Sequence, residues 1–213
     1  MTQRVHILPL SKLVHASPTQ WEKVLREIEE GKVRAYKYYL PLREAIVVFC
    51  RKGGHDRDRI VSQMVARARA NGAKRGETCA RDNEAAFRVF ESDFFPKIHS
   101  FKRDFLRDDH PGCAFANLAI FGHPHLEVVD RKKKDRLVVL HAADWDHDEL
   151  RSYLDLLSVI VEKRFGKDAE ALWCMNLRTG REEKVRPSIR LRSKCETAAR
   201  LYSRFIEAMG SEL

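Results

Sequence analysis

The chain has 213 residues, enough for one compact core and too few for two large domains. With 44% hydrophobic and 33% charged residues, its composition is that of a globular protein and excludes a disordered one. Lys plus Arg number 40 against 31 Asp plus Glu, a formal net charge of +9 that favours polyanionic partners, nucleic acid above all. No apolar run reaches the roughly 20 residues of a membrane-spanning helix, and residues 1–13 lack the apolar stretch and cleavage site of a secretory signal. The cysteines, Cys50, Cys79, Cys113, Cys174 and Cys195, are scattered, odd in number and never in a Cys-x-x-Cys pair. That pattern argues against a structural zinc site, an iron–sulfur cluster and a disulfide framework. The expectation is a soluble cytoplasmic protein with buried or half-buried free thiols and no membrane partner.

In chain order, Ser17 is a candidate N-cap, Pro18 suits a first helical position and Gln20 completes a capping box. Trp21, Val24, Leu25 and Ile28 then fall on one helical face, which Gly31 ends. Residues Val33 to Leu40 have β character. The apolar run Ala45 to Cys50 fits a strand or a buried helix, because periodicity does not separate the two. A helix is predicted from Asp56 to Asn71, with Gly72 as its terminator. Another follows Gly76, with Ala85, Ala86, Phe87, Val89, Phe90, Phe94 and Phe95 as its apolar face and Pro96 ending or kinking it. The charged segment Phe101 to Gly112 reads as a connection. Three strands come next, Phe115–Phe121, Leu126–Asp130 and Arg136–His141, the last two joined by the hairpin tip Arg131-Lys132-Lys133-Lys134-Asp135. Asp146 and Glu149 open a helix that runs to Phe165 and closes at Gly166. A strand over Glu170 to Leu177, a Thr179-Gly180 turn and a basic stretch from Arg181 to Lys194 follow, the last with room for another strand. A helix from about Cys195 to Met209 completes the chain.

This succession predicts an α/β (α+β) fold, a mixed central sheet flanked by helices. An N-terminal, mainly helical portion (1–75) packs on an α/β core (76–213), or the whole chain forms one continuous domain. The order of elements resembles the RecB-like branch of the PD-(D/E)XK nuclease superfamily over roughly the last two-thirds of the chain. Gly76 and Glu84, within Asp82-Asn83-Glu84-Ala85-Ala86-Phe87, resemble that family's glycine and helical acid. Gly122-His123-Pro124-His125 is similar to its Gly-x-x-Asp pattern, with His125 where the metal-binding Asp belongs. Leu137 to Ala142 is similar to its acid-x-Lys strand, with Leu140 and Ala142 where the acid and the lysine belong. Glu149-Leu150-Arg151-Ser152-Tyr153 resembles its Gln-x-x-x-Tyr helix with Glu for Gln. The resemblance implies a restriction-endonuclease-like core. In the family, carboxylates hold divalent ions that activate water against a phosphodiester, with the lysine assisting.

The residues themselves offer one polar cluster. Strand alternation puts His123, His125 and Glu127 on one face, and the neighbouring strand could bring His141 alongside. Such a set suits zinc, manganese or iron better than magnesium. The implied cofactor is at most a divalent metal (Mn, Mg or Zn), and the catalytic set of an active enzyme would be Glu84, His125 and Glu127. The plainer reading, a turn with exposed histidines and a solvent-facing Glu127, is preferred. His147 among Asp144, Asp146 and Asp148 is better explained by helix capping, as is His55-Asp56.

Two basic features stand out. Arg131, Lys132, Lys133 and Lys134 place four cations on a hairpin tip. Arg186, Arg190, Arg192 and Lys194 alternate, and the last three share a face if the segment is extended. Together with the net charge they predict a DNA- or RNA-binding protein on a nuclease-like fold, catalytically inactive and working with other proteins in a larger nucleoprotein complex. The alternatives are an active divalent-metal-dependent nuclease and a protein–protein adaptor whose charge is incidental.

Overall fold

The computed structural model describes residues 3–29, 38–71, 75–106, 112–115, 118–143, 147–183 and 189–210. The first half comprises β1 (Gln3–His6), α1 (Ile7–His15), α2 (Trp21–Glu29), α3 (Leu40–Arg51), α4 (Arg57–Asn71) and α5 (Gly76–Val89). Then come β2 (Ile98–Asp104), β3 (Cys113–Phe115), β4 (Leu118–Phe121), β5 (Leu126–Asp130) and β6 (Asp135–His141). The chain closes with α6 (His147–Phe165), β7 (Leu172–Asn176), β8 (Arg181–Glu183) and α7 (Ile189–Gly210).

A five-stranded mixed sheet runs in the order β2-β5-β6-β7-β8. Its first three strands pair antiparallel, with Leu126 opposite Val138 across β5 and β6. The crossover through α6 then lays β7 parallel to β6, and β8 returns antiparallel. β6 and β7 read as unbroken apolar runs because both of their faces are covered. Leu137 and Val139 enter one core with residues of α1, α6 and α7, while Val138 and Leu140 enter the other with residues of α3, α4 and α5. A second, three-stranded sheet, β1-β4-β3, stands apart from the first.

Several local expectations hold. The side-chain Oε1 of Gln20 accepts both the backbone N–H and the hydroxyl of Ser17 at 3.0 Å, and Leu25 behind it is buried. Gly166 closes α6 at φ 60°, with its N–H donated to the Glu162 carbonyl. The open choice over Ala45–Cys50 resolves as helix α3, where Pro41 occupies the first turn and Ala45, Ile46, Val47, Phe49 and Cys50 are buried. All five cysteines are free and buried. Among the described residues no helix is long and apolar enough to cross a membrane.

Other expectations are corrected. Ile98–Asp104 is a strand, although its latter part reads as a connection. Two register shifts against β5 give it an exposure rhythm near three, which hides the period of two. The strand expected over Phe115–Phe121 is carried by β3 and β4 of the smaller sheet, while residues 116–117 lie outside the described set. The basic stretch from Arg181 to Lys194 does contain a strand, β8, but the extended segment expected over Arg190 to Lys194 is instead the start of α7, which begins at Ile189. Arg, Leu and Lys are good helix formers, so alternating charge does not impose a strand there. Arg186, the glycine stops Gly31 and Gly72, the capping Asp146 and most of the Val33–Leu40 segment fall outside the described residues.

Candidate functional site

At the entrance to β5 the chain leaves its partner strand, and the Leu140 N–H loses the carbonyl that a longer ladder would give it. The Nδ1 of His125 takes that place, accepting the Leu140 N–H at 2.8 Å. The backbone of His125 is equally committed: its N–H donates to the Val138 carbonyl at 2.7 Å and its carbonyl accepts the Phe105 N–H at 3.0 Å. A ring that accepts at Nδ1 carries its proton on Nε2. His125 is 3% exposed, and burial, then the charge of Arg43 and the neighbouring His123 and His141, hold it well below the usual imidazole range. Burial and the charges of Arg43 and Arg178 push His141 down to about 4. The charges of Arg43, His123 and His141 thus all bear on His125. The three histidines are not the exposed turn of the plainer reading, since His125 and His141 are buried and His123 is half-buried.

Glu127 is also buried, against the expectation of a solvent-facing residue. Leu126 and Val128 enter the core with α3, α4 and α5, so alternation turns Glu127 to the opposite face. There its Oε2 accepts from Arg103 at 2.7 Å and its Oε1 from Lys167 at 2.8 Å. Burial raises the carboxyl pKa, and Lys167 and Arg103 together outweigh that and keep it lowered. Lys167 also reaches Asp135 at 3.6 Å, and Asp135 pairs with Lys102 at 2.7 Å, so the carboxylate sits in a chain of alternating charges. No sequence signal points to Arg103, on a strand whose period of two is hidden, or to Lys167, in the loop after α6.

Glu84 lies on α5, across the sheet from Glu127, and pairs with Arg88 one turn on. Leu140 and Ala142 are apolar core residues. Among the described residues no three His, Cys, Asp or Glu side chains are gathered as a metal ion requires. His123, His125, Glu127 and His141 therefore form two separate clusters, one imidazole-rich and one salt-bridged, and Glu84 joins neither.

The hairpin tip is built by Asp130. Its backbone N–H donates to the Lys134 carbonyl, its carboxylate accepts the Lys134 N–H at 2.9 Å, and Arg136 braces it at 2.8 Å. Lys133 adopts φ 62° to turn the chain. The side chains of Arg131, Lys132, Lys133 and Lys134 are all exposed. Lys133 contacts the ring Nε2 of His99 on the adjoining strand β2.

On α7, positions two apart turn through about 200°. The shared face expected of Arg190, Arg192 and Lys194 therefore does not follow on a helix, and the side chains of Arg190 and Arg192 lie outside the described residues. Lys194 shares the exposed side with Arg200 and Arg204. The apolar stripe of Cys195, Ala198, Ala199 and Tyr202 makes that complementary face legible in the sequence.

Comparison with protein-family models, curated proteins and solved structures finds no match to this chain.

Proposed function

We propose that the chain binds nucleic acid through phosphates, on a nuclease-like core that does not itself cleave. The observation that carries the reading is the tip Arg131–Lys134, four consecutive exposed cations with no carboxylate partner among the described residues. Several other cations on or beside the sheet are neutralised at close range, as in Arg103–Glu127, Arg136–Asp130 and Lys97–Glu182. A tip held rigidly by Asp130 presents its charge without having to break an ion pair first. The succession α5, β2, β5, β6, α6, β7 in one mixed sheet supports the resemblance to the PD-(D/E)XK core, with β3 and β4 as an insertion. Five free thiols suit a reducing compartment, and the cytoplasm, within a nucleoprotein complex, is the setting we propose.

The test is a binding titration at several salt concentrations for the wild type and for Lys132→Ala/Lys133→Ala/Lys134→Ala. Each phosphate contact contributes roughly −0.9 to the slope of log K against log salt on duplex DNA, so the variant should be shallower by about 2–3. The loss should be similar across sequences. Salt-independent binding, or none to DNA or RNA, would leave the adaptor reading standing. Incubation with magnesium or manganese should leave DNA and RNA intact. Metal-dependent cleavage abolished by Glu84→Ala and His125→Ala would instead establish the nuclease alternative.

A further inference from the structure

We infer that the exposed face of α7, carrying Lys194, Arg200 and Arg204, is a second phosphate-binding surface, and that its occupant is duplex DNA. The inference rests on the nucleic-acid reading above and adds a site and a form of nucleic acid to it.

The sorting of charge points to this face. On α2, α4 and α5, Arg26, Arg57, Arg67, Arg69 and Arg88 each pair with a carboxylate at 2.5–3.0 Å. Lys194, Arg200 and Arg204 are exposed and have no carboxylate partner among the described residues. Of the acids on the same helix, half-buried Glu196 stands one turn before Arg200 without an ion pair to it among the described residues, and Glu207 accepts the Ser203 hydroxyl at 3.2 Å. The helix cannot roll to hide the three cations, because Cys195, Ala198, Ala199 and Tyr202 fix its other face in the core.

Geometry and the lack of a stacking platform select the occupant. From Lys194 to Arg204 the helix rises about 15 Å, and the three side chains fall within roughly a third of its circumference. That span matches a B-form major groove of about 12 Å, so cations at the two ends of the stripe can meet phosphates on opposite rims. A duplex of A-form RNA offers a deep, narrow major groove instead. Single strands are held by bases stacking on exposed aromatic rings, for which Phe, Tyr and Trp are the usual platforms, and among the described residues no Phe, Tyr or Trp side chain is exposed. Insertion into an anionic membrane needs an exposed apolar flank, and the one exposed large hydrophobic among the described residues, Val48, is on α3.

The experiment compares four proteins by fluorescence anisotropy: wild type, the hairpin triple alanine, Lys194→Ala/Arg200→Ala/Arg204→Ala, and the charge-keeping Arg200→Lys/Arg204→Lys. The probes are a DNA duplex of about two helical turns, its single strand, the matching RNA duplex, and phosphatidylcholine vesicles containing phosphatidylserine. Circular dichroism checks that each variant keeps its helix content. The α7 triple variant should lose at least ~10-fold in duplex-DNA affinity near 0.1 M salt, with a shallower salt slope, while the lysine variant keeps most of the binding. If the α7 variant binds like wild type while the hairpin variant is weakened, the inference falls and the phosphate-binding reading survives. If no probe binds wild type, both fall. Preference for the single strand or the RNA duplex, or capture by vesicles without duplex binding, also overturns the inference.

Discussion

Mild acid should destabilise this protein before its carboxylates begin to titrate, and the histidines set the size of the effect. His141 binds its proton near pH 4 when folded, against an ordinary imidazole value of 6.5. Its folded pKa is depressed, so its contribution is fully present above pH 6.5 and is lost as pH falls toward 4. Across that window the unfolded chain holds a proton that the folded chain does not, and stability changes by about 1.4 kcal/mol per pH unit. Between pH 6.5 and 4.5 His141 alone should remove roughly 2–3 kcal/mol, a large part of a typical domain's 5–15 kcal/mol. His125 acts with the same sign, because protonating Nδ1 also breaks its bond from the Leu140 N–H. Urea unfolding followed by tryptophan fluorescence, at half-unit steps from pH 7.5 to 4.5, measures the slope. His141→Gln should be flatter by about one proton's worth, roughly 1.4 kcal/mol per pH unit. A midpoint that stays constant down to pH 5, or an unchanged slope in His141→Gln, would refute the reasoning.

Other expectations concern stability. Asn83 accepts the Leu42 N–H at 3.1 Å and donates to the Tyr38 and Cys79 carbonyls; Asn83→Ala should cost roughly 2–4 kcal/mol in denaturant titration, by stranding buried groups at the start of α3. Glu127→Gln should cost about 1–3 kcal/mol and flatten stability below pH 4.5, since the lowered carboxyl pKa contributes above its ordinary value and is lost as pH falls through the folded one. Gly180 has φ 68°, and a Cβ there would come 2.2 Å from Asp93 Oδ2. Gly180→Ala should lower the melting temperature, and adding Asp93→Ala should recover the steric part of the loss but not the backbone part, roughly 1 kcal/mol.

The sequence was most informative where one physical signal had no competitor. β5, the lysine-rich turn and β6 were legible because short apolar runs flank a polar tip, and α6 because an acidic start and Gly166 bracket an apolar stretch. β2 was illegible because its bulges break the alternation from which strands are read. The basic stretch before Lys194 was misread because alternating Arg fits a strand by period and a helix by propensity, and only packing against α1 and α6 decides between them. The burial of His125 had no local signal. It depends on where β6 outruns β5 and leaves the Leu140 N–H to be satisfied, a long-range fact of register.

The same accounting explains why the nuclease-like positions read as structural. A hard divalent ion needs free oxygen atoms, and both oxygens of Glu127 are already held, one by Arg103 and one by Lys167. Freeing them would leave Lys167 with only the more distant Asp135 and Arg103 without its acceptor. His125 would have to give up the Leu140 N–H at Nδ1, and Leu140 and Ala142 supply hydrophobic contact where an acid and a lysine would be needed. His125, Glu127, Leu140 and Ala142 thus each do a job in the sheet that metal binding would undo. The exposed cations of the hairpin tip and of α7 have no such prior commitment to a carboxylate, so a phosphate can engage them without first breaking an ion pair.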